Sequence, residues 1–200
     1  MAKSARCQTV PKGGKIMKTK DITFMAAGIA LFVILSMCLR VPVFENYYLC
    51  LGYVVMTLYI WCYKWYEGAV IGFFGVILYC LIGGLGFNGM PGWAVGNVVI
   101  GLLLGITLKF IQKINRKPVQ VFLLAIAAVA AAFVGIEWIK SLIDSFVVGQ
   151  PFWVRFAKNT SSFIADAFMI VVSLPICVLL EKPARMLRYD EYLSKSVTRV

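Results

Sequence analysis

Histidine is absent from these 200 residues, and charge is scarce. Asp, Glu, Lys and Arg together make 14% of the chain, against about a quarter in soluble domains. Without histidine there is no Ser-His-Asp triad, no HExxH metal site and little zinc chemistry. The six cysteines (Cys7, Cys38, Cys50, Cys62, Cys80 and Cys177) form no CxxC pair and lie mostly within apolar stretches. They read as small buried hydrophobes, and neither a disulfide framework nor a redox site is indicated. What fills the chain instead is apolar: 61% of the residues are hydrophobic. Such a composition specifies an integral membrane protein, short enough to be one domain.

Six apolar runs approach the ~20 residues that cross a bilayer as a helix. They are about Asp21–Leu39, Tyr47–Tyr63, Gly68–Leu85, Gly92–Ile111, Val119–Ile143 and Ser161–Leu180. Between them stand RVPVFEN, KWYE, GGLGFNGMPG, QKINRKP and VVGQPFWVRFAKN, whose Pro, Gly and charged residues mark loops. The expected fold is therefore an all-α bundle of six transmembrane helices over residues 21–182. A basic extension (1–20) precedes it and a short tail (183–200) follows. Loops this short leave no room for a soluble domain.

Positive charge sets the orientation. Of the 20 cationic residues, all but Arg40, Lys140, Arg155 and Lys158 fall on one side of this topology. Both termini are expected to be cytoplasmic. The net charge of +11 then follows from topology and anionic headgroups, with no nucleic-acid partner needed. The basic start followed by an apolar run imitates a signal peptide, but the first run is too long and lacks a small-x-small cleavage site. LSMC (Leu35–Cys38) is no lipoprotein box, because Met37 stands where a small residue belongs. Met17, followed by KTK, is an alternative start that would leave residues 1–16 as an extension.

Ionisable groups inside membrane helices are costly, so each needs a reason. Asn97 lies five residues into the fourth run, Glu137 six residues from the outer end of the fifth, and Asp166 five residues into the sixth. At ~1.5 Å per residue all three sit roughly 8–9 Å below the outer surface. Glu137, Lys140, Ser141 and Asp144 follow helical spacing along one face; so do Asn159, Ser162 and Asp166, and so do Trp93 and Asn97. A plain reading makes Glu137–Lys140 an internal salt bridge and Asp166 a buried hydrogen-bonding group. Convergence at one depth favours a pocket.

The outer loops add aromatic and polar groups. Glu45, Asn46 and Tyr47 lie in the first loop, Asn88 in the third, with Trp93 just beyond it. Phe146, Phe152, Trp153 and Phe156 line the fifth, and Trp138 follows Glu137. Interfacial aromatics anchor most membrane proteins. Ligand pockets also pair aromatic walls with a few polar groups, which would suit a flat ligand. Catalysis finds little support: Glu137 and Asp166 stand near no activated nucleophile or metal set. GGLGFNG opens no GK[ST] and is no phosphate loop. No cofactor is expected in this chain.

Small residues recur at four-residue spacing, as Ala26/Ala30, Gly68/Gly72, Gly92/Gly96 and Gly101/Gly105, and such pairs let helices approach closely. KTKDITFMAAGIALFVILS followed by VPVFENYYLCLGYVV is similar to the opening of the S-components of energy-coupling factor (ECF) vitamin transporters. GAVIGFFGVILYCLIGG followed by PGWAVGNVVIGLLLG resembles that family's third and fourth helices, and the likeness spans about Lys18 to Lys182. The resemblance implies a substrate-binding subunit that is not an enzyme. It would capture a vitamin under its outer loops, topple in the membrane and release it inward. The partners implied are a transmembrane coupling subunit and two ATPases that use the ATP. In that family an AxxxA motif on the first helix meets the coupling subunit, and Ala26 and Ala30 match it. Riboflavin-like or nucleobase-like ligands suit the aromatic walls; thiamine precursors, pantothenate, cobalamin or a queuosine precursor remain alternatives. The rival reading is a structural membrane protein of the rod-shape-determining class.

Overall fold

The structure, a computed structural model, describes residues 19–38, 41–44, 47–83, 90–114 and 116–197, with side chains for all of these but 20, 41–48 and 187–197. In hydrocarbon the backbone must satisfy its own hydrogen bonds, so the apolar runs become helices. These are α1 (Thr19–Cys38), α2 (Gly52–Cys62), α3 (Glu67–Gly83), α4 (Met90–Ile111), α5 (Lys117–Ala132), α6 (Ser141–Val148) and α7 (Phe152–Val197). A π-helical segment, Phe133–Lys140, joins α5 to α6, so Lys117–Val148 is one continuous apolar pass. Counted this way the described residues make six helical passes, of which four are long and apolar enough to span a membrane and two, α2 and α3, are shorter.

Several boundaries differ from the sequence expectation: the fifth pass runs on to Val148, past Ile143, α7 runs on to Val197, past Leu180, and two starts move. The second run was expected to be helical from Tyr47, but α2 begins at Gly52. Tyr47–Leu49 is instead a strand, β2, paired antiparallel with β1 (Val41–Phe44) in a two-stranded hairpin. Apolarity alone cannot separate a short strand from a helix, and the β-branched Val41 and Val43 favour the strand. Pro42 is tolerated there because both strands are edges. At the other end of the chain, α7 starts at Phe152 instead of Ser161. Pro151 stands just before it and its carbonyl accepts from the Val154 and Arg155 N–H groups, so PFWVRFAKN is the first part of a helix.

Glycine lets the passes close up. A side chain at Gly101 would meet the Ala69 backbone, and one at Gly105 the Trp65 backbone, which fixes α4 against α3 and the turn before it. Gly96 and Gly135 face each other across α4 and the π segment, each carbonyl 2.6 Å from where the other's Cβ would sit. Phe32, Tyr53, Met56, Ile71, Ile100 and Leu174 fill the interior between these contacts. Helix α1 divides sharply. Gly28 presses on Ile71 and Tyr59, whereas Ala26, Ala27 and Ala30 are exposed on the opposite side.

One end of the bundle is laced by charge. Lys64, between α2 and α3, bonds Asp21 at 2.7 Å; Lys117 and Arg185 share Glu181 at 2.7 and 3.1 Å. The Tyr63 hydroxyl donates to the Ala184 carbonyl at 2.7 Å. The hairpin and the start of α4 belong to the other end.

Candidate ligand-binding site

Tyr53, one residue into α2 and fully buried, gathers three helices around its hydroxyl. Asn97 Oδ1 and Asp166 Oδ2 each lie 2.9 Å from it, and the Trp93 indole N–H donates to it at 2.9 Å. A phenol has one proton to give, and two acceptors claim it. Turning the Asn97 amide over resolves the count, since O and N of an amide are interchangeable in shape. The phenol then donates to Asp166 and accepts from both Trp93 and Asn97. In either orientation one polar atom of the Asn97 amide has no partner among the described residues. Asn97 is completely buried, so that atom is costly to leave unpaired.

A second polar group lies two turns along the same face of α7. Asn159 precedes Asp166 by seven residues, about 10 Å along the axis. The Lys140 ammonium donates to Asn159 Oδ1 and, at 2.8 Å, to Asp144. The Asn159 amide N–H donates to the Ser141 hydroxyl at 2.9 Å. A buried cation is tolerable when paired and hydrogen-bonded, as Lys140 is. Helix α4 links the two groups: a side chain at Gly92 would strike Asp144 Oδ1, while the next residue, Trp93, bonds Tyr53.

Glu137 does not pair with Lys140, so of the two readings their spacing left open the internal salt bridge is not formed. It accepts from the Thr160 hydroxyl at 2.7 Å, and its other oxygen is buried with no partner among the described residues. The cause is the π segment. Its i→i+5 bonding widens the turn, so residues three apart no longer share a face. Lys140, Ser141 and Asp144, at or beyond its end, keep ordinary helical spacing and stay together.

A family model described as ECF-type riboflavin transporter, S component, matches residues 16–182. The chain belongs to the ECF-type riboflavin transporter S component family. This S component is also similar to a solved structure, the S-component for biotin from an ECF-type ABC transporter. The two are 15% identical with a TM-score of 0.55, over 84% of this chain and 95% of that one, which shows a shared fold. No curated protein matched in sequence. As an S component it is a multi-pass membrane protein and the substrate-binding subunit of an ECF transporter, a transport family and no enzyme class. The rod-shape-determining alternative is set aside by the same match.

The candidate residues of this S component fall in several places. Trp93, Asn97 and Asp166 meet at Tyr53; Lys140 and Asn159 meet at Asp144. Trp138 lies apart. It is exposed and packs on Phe152 and Phe156, each ring 5.9 Å away, because it follows Glu137 and so points off the buried face. Glu45, Asn46 and Asn88 lie outside the described residues; Tyr47 opens β2, and its side chain lies outside them too. Tyr53 escaped the sequence reading because it sits among apolar neighbours, where a tyrosine passes for a hydrophobe. Its signal was positional, a hydroxyl at the start of an apolar helix, level with Trp93, Asn97 and Asp166.

Proposed function

We propose that this subunit captures a flat heteroaromatic vitamin of the riboflavin class at the outer end of α2, α4, α6 and α7. The observation that carries this reading is two buried polar atoms without partners among the described residues, one on the Asn97 amide and the other Glu137 Oε2. Buried polar groups are normally satisfied; with the Asn97 amide turned over both atoms are acceptors, and a ligand offering an N–H and a hydroxyl would satisfy them. Riboflavin has both, the imide N–H of its isoalloxazine ring and the hydroxyls of its side chain, and a flat face for the Trp93 indole. Lys140 and Asn159 would hold the polar substituents. The description of the matching family names the same vitamin.

Transport would proceed with a coupling subunit and two ATPases that consume the ATP, this chain holding no cofactor of its own. The exposed Ala26 and Ala30 are the proposed docking face. The lysine- and arginine-rich end would face the cytoplasm of a bacterial cell, with both termini there. Residues 1–20 would form a basic extension and 183–200 a cytoplasmic tail. The first outer loop, 40–47, would act as a lid that orders over bound ligand.

Purified protein should quench riboflavin fluorescence at equimolar ratio, and mass spectrometry of the denatured protein should release the same compound. Recovery of a non-aromatic vitamin, with no quenching, would refute the ligand class. Riboflavin should also protect residues 40–47 from proteolysis and hydrogen exchange; equal cleavage with and without ligand would remove the lid.

A further inference from the structure

The geometry points to a seat for one anionic phospholipid in the groove between α5 and α7, on a side of the bundle away from the α1 alanine face. The groove encloses about 850 Å³ and is lined almost wholly by hydrocarbon. The fully buried Leu174 and the half-buried Ala125 lie deepest in it, and Phe122, Pro175 and Leu179 stand exposed along it. From Lys117 to Ala125 it runs about 12 Å, close to the ~15 Å hydrocarbon depth of one leaflet. The length fits an acyl chain lying along the helices.

Charge decides between a lipid and a protein occupant. Lys117 closes the groove at the basic end of the bundle. It and Arg185 share the single carboxylate of Glu181, so this triad keeps one net positive charge. A headgroup phosphate would meet that charge while its chain fills the apolar channel. A transmembrane helix of a partner would find no use for a cation at the mouth, and the groove floor offers no glycine for close helix packing.

The test is native mass spectrometry of the delipidated protein with added phosphatidylglycerol or phosphatidylcholine of identical acyl chains. The wild type should retain one phosphatidylglycerol with roughly fivefold preference over phosphatidylcholine, the effect of one cation near a headgroup. Lys117→Gln should equalise the two lipids while still retaining either. Ala125→Trp, which fills the channel, should lose both, and Val178→Trp serves as a second filling variant should the first fail to remain monodisperse and helical. Equal retention of the two lipids by the wild type, or undiminished retention by a folded filling variant, would overturn the proposal. So would a wild-type dimer that the filling variants abolish, because it would assign the groove to a second copy.

Discussion

Tyr53 on α2 and Asp166 on α7, 113 residues apart in sequence, meet at 2.9 Å between phenol and carboxylate. The same hydroxyl receives Trp93 and touches Asn97 on α4, so one atom ties three passes together at the hairpin end of the bundle. Removing it should therefore be felt in stability and in binding alike.

Tyr53→Phe keeps the ring and deletes the hydroxyl, leaving buried groups on Trp93, Asn97 and Asp166 short of a partner. An unsatisfied buried group costs about 1–3 kcal/mol, more if charged. The variant should melt earlier in detergent and bind riboflavin more weakly. An unchanged melting curve would mean that the contacts at this hydroxyl carry little energy.

Asn97→Ala and Glu137→Ala should separate binding from folding. Each removes one polar atom without a partner among the described residues and one that has a partner, Tyr53 for Asn97 and Thr160 for Glu137, so folding should lose something and binding more. Riboflavin affinity should fall about tenfold or more, as happens when a ligand's polar groups lose their counterparts. Titration and thermal unfolding of the same samples decide it, and a larger loss in stability than in affinity would make these residues structural.

Gly96→Ala tests the approach of α4 to the π segment. The added methyl would fall 2.6 Å from the Gly135 carbonyl oxygen, where the backbone must move. Overpacking of this kind costs about 1–3 kcal/mol. Thermal unfolding should show that loss, while Gly149→Ala, at φ 69° but with open space around it, should show only backbone strain.

Ala26→Trp should leave fold and riboflavin binding intact, because Ala26 is exposed and lipid solvates either side chain. A coupling helix packed on the small face would meet a clash, so uptake by cells and co-purification with a coupling subunit should fall together. Loss of binding would make the face internal packing; unchanged uptake would make it plain lipid-facing surface.

The sequence by itself determined the class of this protein. Six apolar runs leave a bilayer-spanning helical bundle as the one way to satisfy the backbone. The depth of Asp166 was counted from Ser161, whereas α7 begins nine residues earlier, so its meeting with Asn97 at Tyr53 came from packing. Which glycines close helices and which alanines stay open was not legible, because Gly28 and Ala30 differ in which side of α1 meets α3, and spacing does not choose a side. Tyr47–Leu49 became a strand through pairing with Val41–Phe44 in a hairpin, which a count of apolar residues does not register. The partners of Glu137 and Lys140 depended on a widened turn over Phe133–Lys140, which the side-chain pattern does not announce. Tyr53 acquired its role only when α2, α4 and α7 came together. Periodicity and hydropathy are properties of one segment, whereas a hydrogen bond between distant helices is fixed by their packing, and packing was decided in three dimensions.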